Sequence, residues 1–419
     1  MRCCEPEATP QTFIGRALKY LLIIPALGPV YGGPSKIAPA FAAALARQGA
    51  TVDLVTTEAN GPENLQVPVD RWIPQENGAW RLRYFHRHGR NELKLSVPMF
   101  RWLWAHVADY DFVHHLSIFN PSALATALIC RARRVRYLVN PQGMLEPWAL
   151  RYKSWKKQLY FRAVERPLVL RGACAIHALN GREAANLAAL NLGPPVVTIP
   201  NGFESNEVDG IGAADAEKFV AHFRLPRDRR LILFLHRVDP KKGLDLLAAA
   251  FARVRPRFPD THIVVAGPDN VGFAAAARGF FAAAGVGDDV TFTGMLEGEI
   301  KRGALAAASV FVAPSYSEGF SMSVLEAMAA GVPCVITEGC NFPEAAEAGA
   351  ARVVPADAEA FAAALAAVLA APAESKTMGE QGRKLVRDRY TWDCVAKQMV
   401  DACERLSRGP RSLLEGQGA

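Results

Sequence analysis

Nearly continuous apolar runs rich in β-branched residues alternate with Ala- and Leu-rich stretches along most of the chain, and this alternation constrains the fold more than any other feature. "YLLIIPAL", "TVDLVTT", "RLRYF", "DFVHHL", "RYLVN", "CAIHAL" and "VVTIP" form one series; "LILFLHRV", "HIVVAG", "VTFTG", "VFVAP" and "PCVIT" form a second. A strand without polar alternation is buried on both faces, and helices between such strands are what cover a parallel sheet. Two series therefore predict two Rossmann-like α/β/α domains. The length of 419 residues exceeds what one core ordinarily organises. Half of the residues are hydrophobic, enough for sizeable cores and against bulk disorder.

The break between the series falls in "IPNGFESNEVDGIGAADAE", residues 199–217, where a strand ends in a Pro-Asn-Gly turn and a polar, Gly-rich stretch follows. The expected organisation is a loose extension over residues 1–16, a first domain over 17–202 and a second over 203–390. The apolar run Tyr20–Leu27 is too short to span a bilayer and lacks the usual setting of a cleavage site, so it reads as a strand. No other segment approaches transmembrane length, and a cytoplasmic protein is expected. The eight cysteines (Cys3, Cys4, Cys130, Cys174, Cys334, Cys340, Cys394 and Cys403) form no C-x-x-C pair. That usage suits buried thiols in a reducing compartment rather than a disulfide frame or a zinc site.

The formal net charge is +7, from 48 basic and 41 acidic residues, and it is unevenly placed. Between Arg81 and Arg171 basic residues outnumber acids and interleave with Trp80, Tyr84, Phe85, Trp102, Trp104, Trp148, Trp155 and Tyr160. A solvated basic face accounts for this, and so does contact with anionic lipid headgroups or a phosphate-bearing acceptor. No nucleic-acid-binding motif accompanies the charge, so nucleic acid is not an expected partner.

Three stretches carry candidate chemistry. In "SVFVAPSYSEGFSMSVLEAMAAGVPCVIT" a strand, a loop, a helix and a second strand follow one another, with Glu318 and Glu326 separated by seven residues. Ligands of such βαβ units bind at the carboxyl ends of the strands, where Glu318 lies. The amides of Ser321, Met322 and Ser323 open the helix and suit a phosphate. Ser323-x-x-Glu326 also fits a capping box, which would leave Glu318 and the adjacent Gly319 unexplained. "LHRVDPKKGLDLL" sets Arg237, Lys241 and Lys242 in another strand-to-helix loop, where a guanidinium and an ammonium suit a diphosphate at roughly 1.5–3 kcal/mol per charge-assisted bond. In "PALGPVYGGPSKIAPAF", Gly32 and Gly33 permit close backbone approach to a ligand, or simply a tight turn. The stretch is not G-x-G-x-x-G, and "VDLVTTEAN" offers only Glu58 at the acidic position of a dinucleotide site.

Together these features resemble the retaining nucleotide-sugar glycosyltransferases of family 4, over roughly residues 18–408. The most specific parts are "SEGFSMSVLEAMAAGVP", which matches that family's E-x7-E signature, and "HRVDPKKG", which matches its R-x4-K-G loop. "YGGPS", "NPQGMLEPWALRYKSWKK" and "HALNGREAANLAALNLGPPVVTIPNG" add support. The resemblance implies a GT-B fold, two Rossmann-like domains facing across a cleft, with a C-terminal helix over 391–410 crossing back to the first, acceptor-binding domain. It implies that Arg237 and Lys242 hold the donor diphosphate, with the amides of Ser321, Met322 and Ser323. Glu326 would take the ribose hydroxyls and Glu318 the donor sugar, with Gly319 and Phe320 beside it, and Gly32 and Gly33 would approach the phosphates from the other domain. The chain departs from the family at "DFVHHLSIF": the family often has His-x-His, whereas His114 and His115 are adjacent and face opposite sides of a strand. Either is a catalytic candidate, and packing explains each as well. Gln142 stands where an arginine is often seen, which leaves its role open.

The resulting expectation is a retaining transferase that moves sugar from a UDP- or GDP-sugar to a glycan or lipid-linked acceptor in surface polysaccharide synthesis. Positive groups would stabilise the departing diphosphate without a metal, and no Asp-x-Asp or His/Cys cluster suggests one. Domain closure would exclude water, and peripheral contact with an anionic membrane surface is an accompanying expectation. Two alternatives share the features: a sugar-nucleotide epimerase, and a non-catalytic nucleotide-binding subunit of a membrane complex.

Overall fold

The computed structural model describes residues 16–89, 93–146, 154–204, 208 and 210–408. The chain divides into two compact units, residues up to Gly202 together with those from Trp392 onward, and Phe203–Thr391. Of the expected N-terminal extension only Arg16 is described, and it is tied down, with its Nη1 donating to Asp111 Oδ2 at 2.8 Å. Trp148, counted among the basic domain's aromatics, lies outside the described residues.

The first unit contains β1 (Lys19–Ala26), β2 (Thr51–Thr57), a small hairpin of β3 (Ala59–Asn60) and β4 (Glu63–Asn64), then β5 (Trp72–Gln75), β6 (Trp80–Phe85), β7 (Phe112–His115), β8 (Arg136–Val139), β9 (Ala175–Ala178) and β10 (Val196–Thr198). Eight of these make one sheet in the order β10-β9-β8-β7-β1-β2-β6-β5, parallel except where β5 pairs antiparallel with β6. β5 escaped the sequence reading because Pro74 sits inside a four-residue run; at a sheet edge, proline is tolerated.

Alternation along β1 feeds two cores. Tyr20, Leu22 and Ile24 pack with Phe41 and Leu45 of the helix Gly33–Arg47, whereas Leu21 and Ile23 pack with Met99 and Leu103 of the helix Val97–His106. The terminal helix Trp392–Arg408 joins the first of these cores through Trp392, Val395, Ala396, Met399, Val400 and Cys403, an i, i+3, i+4, i+7 stripe. The Trp392 and Phe41 rings lie 5.8 Å apart, and Arg47 Nε pairs with Asp393 Oδ1 at 2.7 Å at the solvent edge.

The second unit holds β11 (Arg230–Leu235), β12 (Thr261–Ala266), β13 (Val290–Gly294), β14 (Ala308–Ala313), β15 (Cys334–Thr337) and β16 (Ala351–Val354), all parallel in the order β13-β12-β11-β14-β15-β16. Leu231, Leu233 and Leu235 enter one core while Ile232 and Phe234 enter the other. The two expected Rossmann-like domains with parallel sheets are therefore what the chain forms. β16 was not foreseen, since a half-buried edge strand containing Arg352 has no continuous apolar character. β11 stops at Leu235, so Arg237 lies two residues beyond the strand rather than at its end.

Cys130, Cys174, Cys334, Cys340 and Cys403 are free, and all but Cys174 are fully buried. Cys394 is the exception to the reading of the cysteines as thiols: it is disulfide-bonded. No single helix among the described residues is long and apolar enough to cross a membrane.

Met399 has no solvent exposure on the inward stripe of the terminal helix. Met399→Ala should cost the first unit about 2–5 kcal/mol, read by denaturant unfolding. A loss under about 1 kcal/mol would show that this stripe does not carry the packing assigned to it.

Candidate functional site

Two loops that leave adjacent strands of the second unit make the most highly constructed polar site. After β11, Asp239 caps a short 3-10 turn, Pro240–Lys242, by accepting from the Lys241 amide at 3.1 Å. Gly243 then turns with φ 72° before the helix Leu244–Val254. A Cβ there would lie 2.0 Å from the Pro314 carbonyl oxygen, so only glycine allows this loop to touch the one after β14. The Tyr316 amide donates to the Lys241 carbonyl at 2.8 Å and joins the loops.

The turn after β15 pins the loop after β14 from its other side. The Glu318 amide donates to the Gly339 carbonyl at 2.8 Å, Asn341 Nδ2 donates to the Glu318 carbonyl, and Thr337 Oγ1 donates to the Ser315 carbonyl. This fixed backbone presents the Glu318 carboxylate to the Lys242 ammonium, in a direct ion pair of two nearly buried side chains. Ser315 Oγ donates to the same carboxylate oxygen at 2.8 Å, and His236 Nδ1 lies 3.8 Å from it. Burial is the strongest single influence and would raise the Glu318 carboxyl, but the Lys242 charge, His236 and the hydrogen bonds from Lys242 and Ser315 together outweigh it and hold the group below the usual carboxylate range. Burial, reinforced by Lys242, lowers His236 to about 3, so its imidazole is neutral at pH 7.

The helix Met322–Ala329 starts beside this pair, with Ser321 as its N-cap residue. The capping box does not form: Ser323 lies inside the helix, and its Oγ is 2.8 Å from His236 Nε2. Glu326 instead receives Lys301 Nζ at 2.7 Å, from the helix Gly298–Ala307. The first-turn amides have no carbonyl four residues back in the helix, so the positive end of its dipole lies next to Lys242 and Glu318. Arg237 is exposed and makes no ion pair with a described residue. The ring of Phe320, a donor-site candidate, is partly buried and packs 6.0 Å from Phe342 and 6.2 Å from Tyr390.

Lys242, Glu318, Ser321, Met322, Ser323 and Glu326 are thus gathered at one sheet edge, with Gly319 in the same loop. His236, Ser315, Asn341 and Lys301 complete the site and were not singled out in the sequence. His236 directly precedes Arg237 in the basic loop; nothing in the sequence connects Lys301 to Glu326.

The remaining candidates lie in the first unit. Gly32 has φ 70° and ψ −128°, a backbone conformation open essentially to glycine alone, and the helix Gly33–Arg47 begins directly after it. A Cβ at Gly32 would meet nothing within 4 Å, so the turn explains this glycine without a close approach. His114 and His115 are wholly buried on opposite faces of β7, as strand alternation requires. His114 Nδ1 lies 3.0 Å from Tyr20 OH and its Nε2 3.3 Å from His177 Nδ1. His115 Nδ1 meets the Ser117 carbonyl at 2.8 Å and its Nε2 meets Ser122 Oγ at 2.9 Å. All four ring nitrogens are engaged inside the domain, and burial lowers both groups. The expectation that one of the pair presents a nitrogen to a ligand is not met in this fold, because each satisfies a buried polar neighbour. The Gln142 amide donates to Asn140 Oδ1 at 2.8 Å in a left-handed turn. Among the described residues no group of three or more His, Cys, Asp or Glu side chains is arranged to hold a metal.

Residues 32–202 match the family model for a glycosyl transferase 4-like domain, and residues 215–385 match that for glycosyl transferases group 1. Both halves of the chain thus match glycosyltransferase family models. It is 34% identical over 221 residues to a phosphatidyl-myo-inositol mannosyltransferase of Mycolicibacterium smegmatis, a match covering 52% of this chain and 53% of that protein. The chain thus spans about half the length of the relatives of this kind that it matches. In fold it is similar to sucrose-phosphate synthase from Thermosynechococcus elongatus, with TM-score 0.73 at 24% identity over 93% of this chain and 99% of that one. Anabaena HepE, solved with UDP and glucose, superposes with TM-score 0.71 at 17% identity over 93% of this chain and 100% of that one.

The buried pair yields a test in which the pH dependence changes sign. In the native protein Glu318 has a lowered carboxyl, so its contribution to stability is present above the unfolded carboxylate value and is lost as pH falls towards the lower folded value. Lys242→Met removes the main charge opposing burial and should cost about 3–5 kcal/mol near neutral pH. Its folded-state carboxyl is then raised, so the variant should regain stability on acidification and lose it as pH rises. Parallel pH profiles for the two proteins, measured by denaturant unfolding, would refute the pairing.

Proposed function

We propose that the chain is a retaining glycosyltransferase that takes sugar from a UDP- or GDP-sugar and needs no metal. The observation that carries this reading is the buried Lys242–Glu318 pair at the carboxyl edge of the second domain, beside the open amides of the helix Met322–Ala329. An ammonium has three donors, so Lys242 can keep Glu318 and also hold a diphosphate oxygen. Arg237, exposed and without an ion pair among the described residues, supplies a second cation. The amides of Ser321, Met322 and Ser323 supply fixed dipoles. Together they stabilise the charge that develops on the departing diphosphate, a task usually worth more than any other single catalytic effect.

Glu318, ionised and fixed through its backbone, accepts hydroxyl bonds from the donor sugar and keeps negative charge near the anomeric carbon as it becomes oxocarbenium-like. Glu326 takes the ribose hydroxyls, with Lys301 orienting it. The acceptor hydroxyl attacks on the face the diphosphate leaves and passes its proton to a diphosphate oxygen, so configuration is retained. His236 is neutral and works through Ser323, whose hydroxyl it orients at the helix start.

A glycan or lipid-linked acceptor, of the kind used in surface polysaccharide synthesis, fits the first domain. The name of the mycobacterial relative, a transferase for a phosphatidyl-linked inositol, supports a lipid-bearing acceptor. The helix Ser154–Tyr160 exposes Trp155 and Leu159 one turn apart beside basic residues, a surface suited to an anionic membrane.

Arg237→Ala should leave the fold intact and lower kcat/KM about 10–100-fold, as loss of charge-assisted bonds to the diphosphate predicts. UDP or GDP should raise the Tm of the native protein. Unchanged kcat/KM in the variant would sink the assignment of Arg237. Release of an epimerised sugar nucleotide from donor alone would replace transfer with epimerisation.

A further inference from the structure

At the carboxyl ends of β2 and β6 the first domain carries a recess of about 470 Å³, open to solvent, that none of the donor-site residues touches. Glu58, which follows β2, Gln66 and His86, which follows β6, form its polar walls; Leu65, Val67 and Pro68 form its apolar ones. Glu58 is nearly buried, and one of its oxygens is fully engaged. Oε1 meets His86 Nδ1 at 2.5 Å, Asn64 Nδ2 at 2.9 Å and the Arg87 amide at 3.4 Å. Oε2 has no partner among the described residues and is not sealed from solvent, which leaves it to the recess.

The support behind this carboxylate is rigid. Arg87 is only 2% exposed, and its guanidinium donates to Asn64 Oδ1 at 2.6 Å, the Gly61 carbonyl at 2.9 Å and the Glu63 carbonyl at 2.6 Å. A buried cation spent on neutral oxygens closes the β3–β4 hairpin around Glu58. The hairpin is also tied to the Gly32 turn, since the Gly61 amide donates to Tyr31 OH at 2.9 Å. Glu58 is thus a prepositioned acceptor, with an imidazole and a carboxamide beside it and an apolar wall opposite.

We infer that this recess binds a saccharide, with Glu58 Oε2 accepting from sugar hydroxyls and the apolar wall covering a pyranose C–H face. A carboxylate with a free, oriented oxygen recognises vicinal hydroxyls and repels phosphate, and the recess is large enough to admit a sugar ring. Because the proposed reaction delivers sugar to a hydroxyl-bearing acceptor, the recess assigns the acceptor's recognised unit to a neutral sugar; in this respect it rests on the transferase reading.

The test uses saturation-transfer NMR on the full chain with methyl α-glucoside, methyl α-mannoside, methyl α-galactoside and methyl N-acetyl-α-glucosaminide. At least one should bind, and Glu58→Gln and Val67→Trp should each weaken it about tenfold or more. Val67→Trp fills the recess from its rim without touching the Glu58 bonds, so it decides the matter if Glu58→Gln fails to fold. Stabilisation by UDP or GDP should match the native protein in both variants. Absence of any glycoside binding, or binding unchanged in the variants, would overturn the inference. So would loss of nucleotide stabilisation in Glu58→Gln, which would make the recess a nucleotide site. If the native protein shows no nucleotide stabilisation, the transferase reading falls while a Glu58-dependent glycoside signal still stands.

Discussion

The second domain is organised around the ion pair of Lys242 with Glu318. Taking both groups out of water carries a desolvation cost that their mutual attraction does not reliably repay, so such a pair is weak evidence of stability. It persists because the loops that hold it are bonded to each other independently. The Tyr316 amide meets the Lys241 carbonyl, the Glu318 amide meets the Gly339 carbonyl, and Gly243 alone allows the approach to Pro314. Three consecutive loops at one sheet edge are therefore fixed by backbone contacts, and the charges ride on them. A pair kept at such cost beside a helix start makes sense where an anion is to be met by potential already in place.

The electrostatics follow from that arrangement. With Lys242 present, Glu318 is ionised despite burial and His236 is neutral despite its carboxylate neighbour. The ammonium favours both states, with burial the larger influence on His236 and with His236 and Ser315 helping to keep Glu318 ionised. On the proposed reading, a donor diphosphate need not change either one, because Lys242 has donors beyond the one given to Glu318 and the helix-start amides are fixed by the backbone.

The two-domain architecture was legible because a parallel sheet must be apolar on both faces, which leaves runs such as "LILFL" and "HIVVA" that a reader can count. The edge strands were not, since β5 contains Pro74 and β16 contains Arg352, and an edge tolerates both. For the site, the basic loop and the two glutamates were each visible as local motifs. Their union was not, because β11 neighbours β14 only through the crossover order of the sheet. The same non-local order hid the contact of Lys301 with Glu326. Ser323-x-x-Glu326 read as a cap because spacing alone does not say where a helix starts; the observed N-cap is Ser321, which puts Ser323 two residues too far in. His114 and His115 show the converse limit, for strand alternation assigned their faces correctly but could not show that Tyr20, His177, Ser117 and Ser122 would occupy their nitrogens.

The two sheets also differ in the sign of what their carboxyl edges leave unpaired. In the second domain it is positive, a cation at Arg237 and helix amides, with the Glu318 and Glu326 carboxylates already covered by Lys242 and Lys301. In the first it is negative, the Oε2 of Glu58, with the nearby cation of Arg87 spent on carbonyl and carboxamide oxygens. A diphosphate is bound by the first kind of edge and rejected by the second, whereas sugar hydroxyls find their acceptor at a carboxylate. If, as proposed, the second domain takes the donor diphosphate and the first a neutral saccharide, similar α/β frameworks sort the two by which charge each domain neutralises internally.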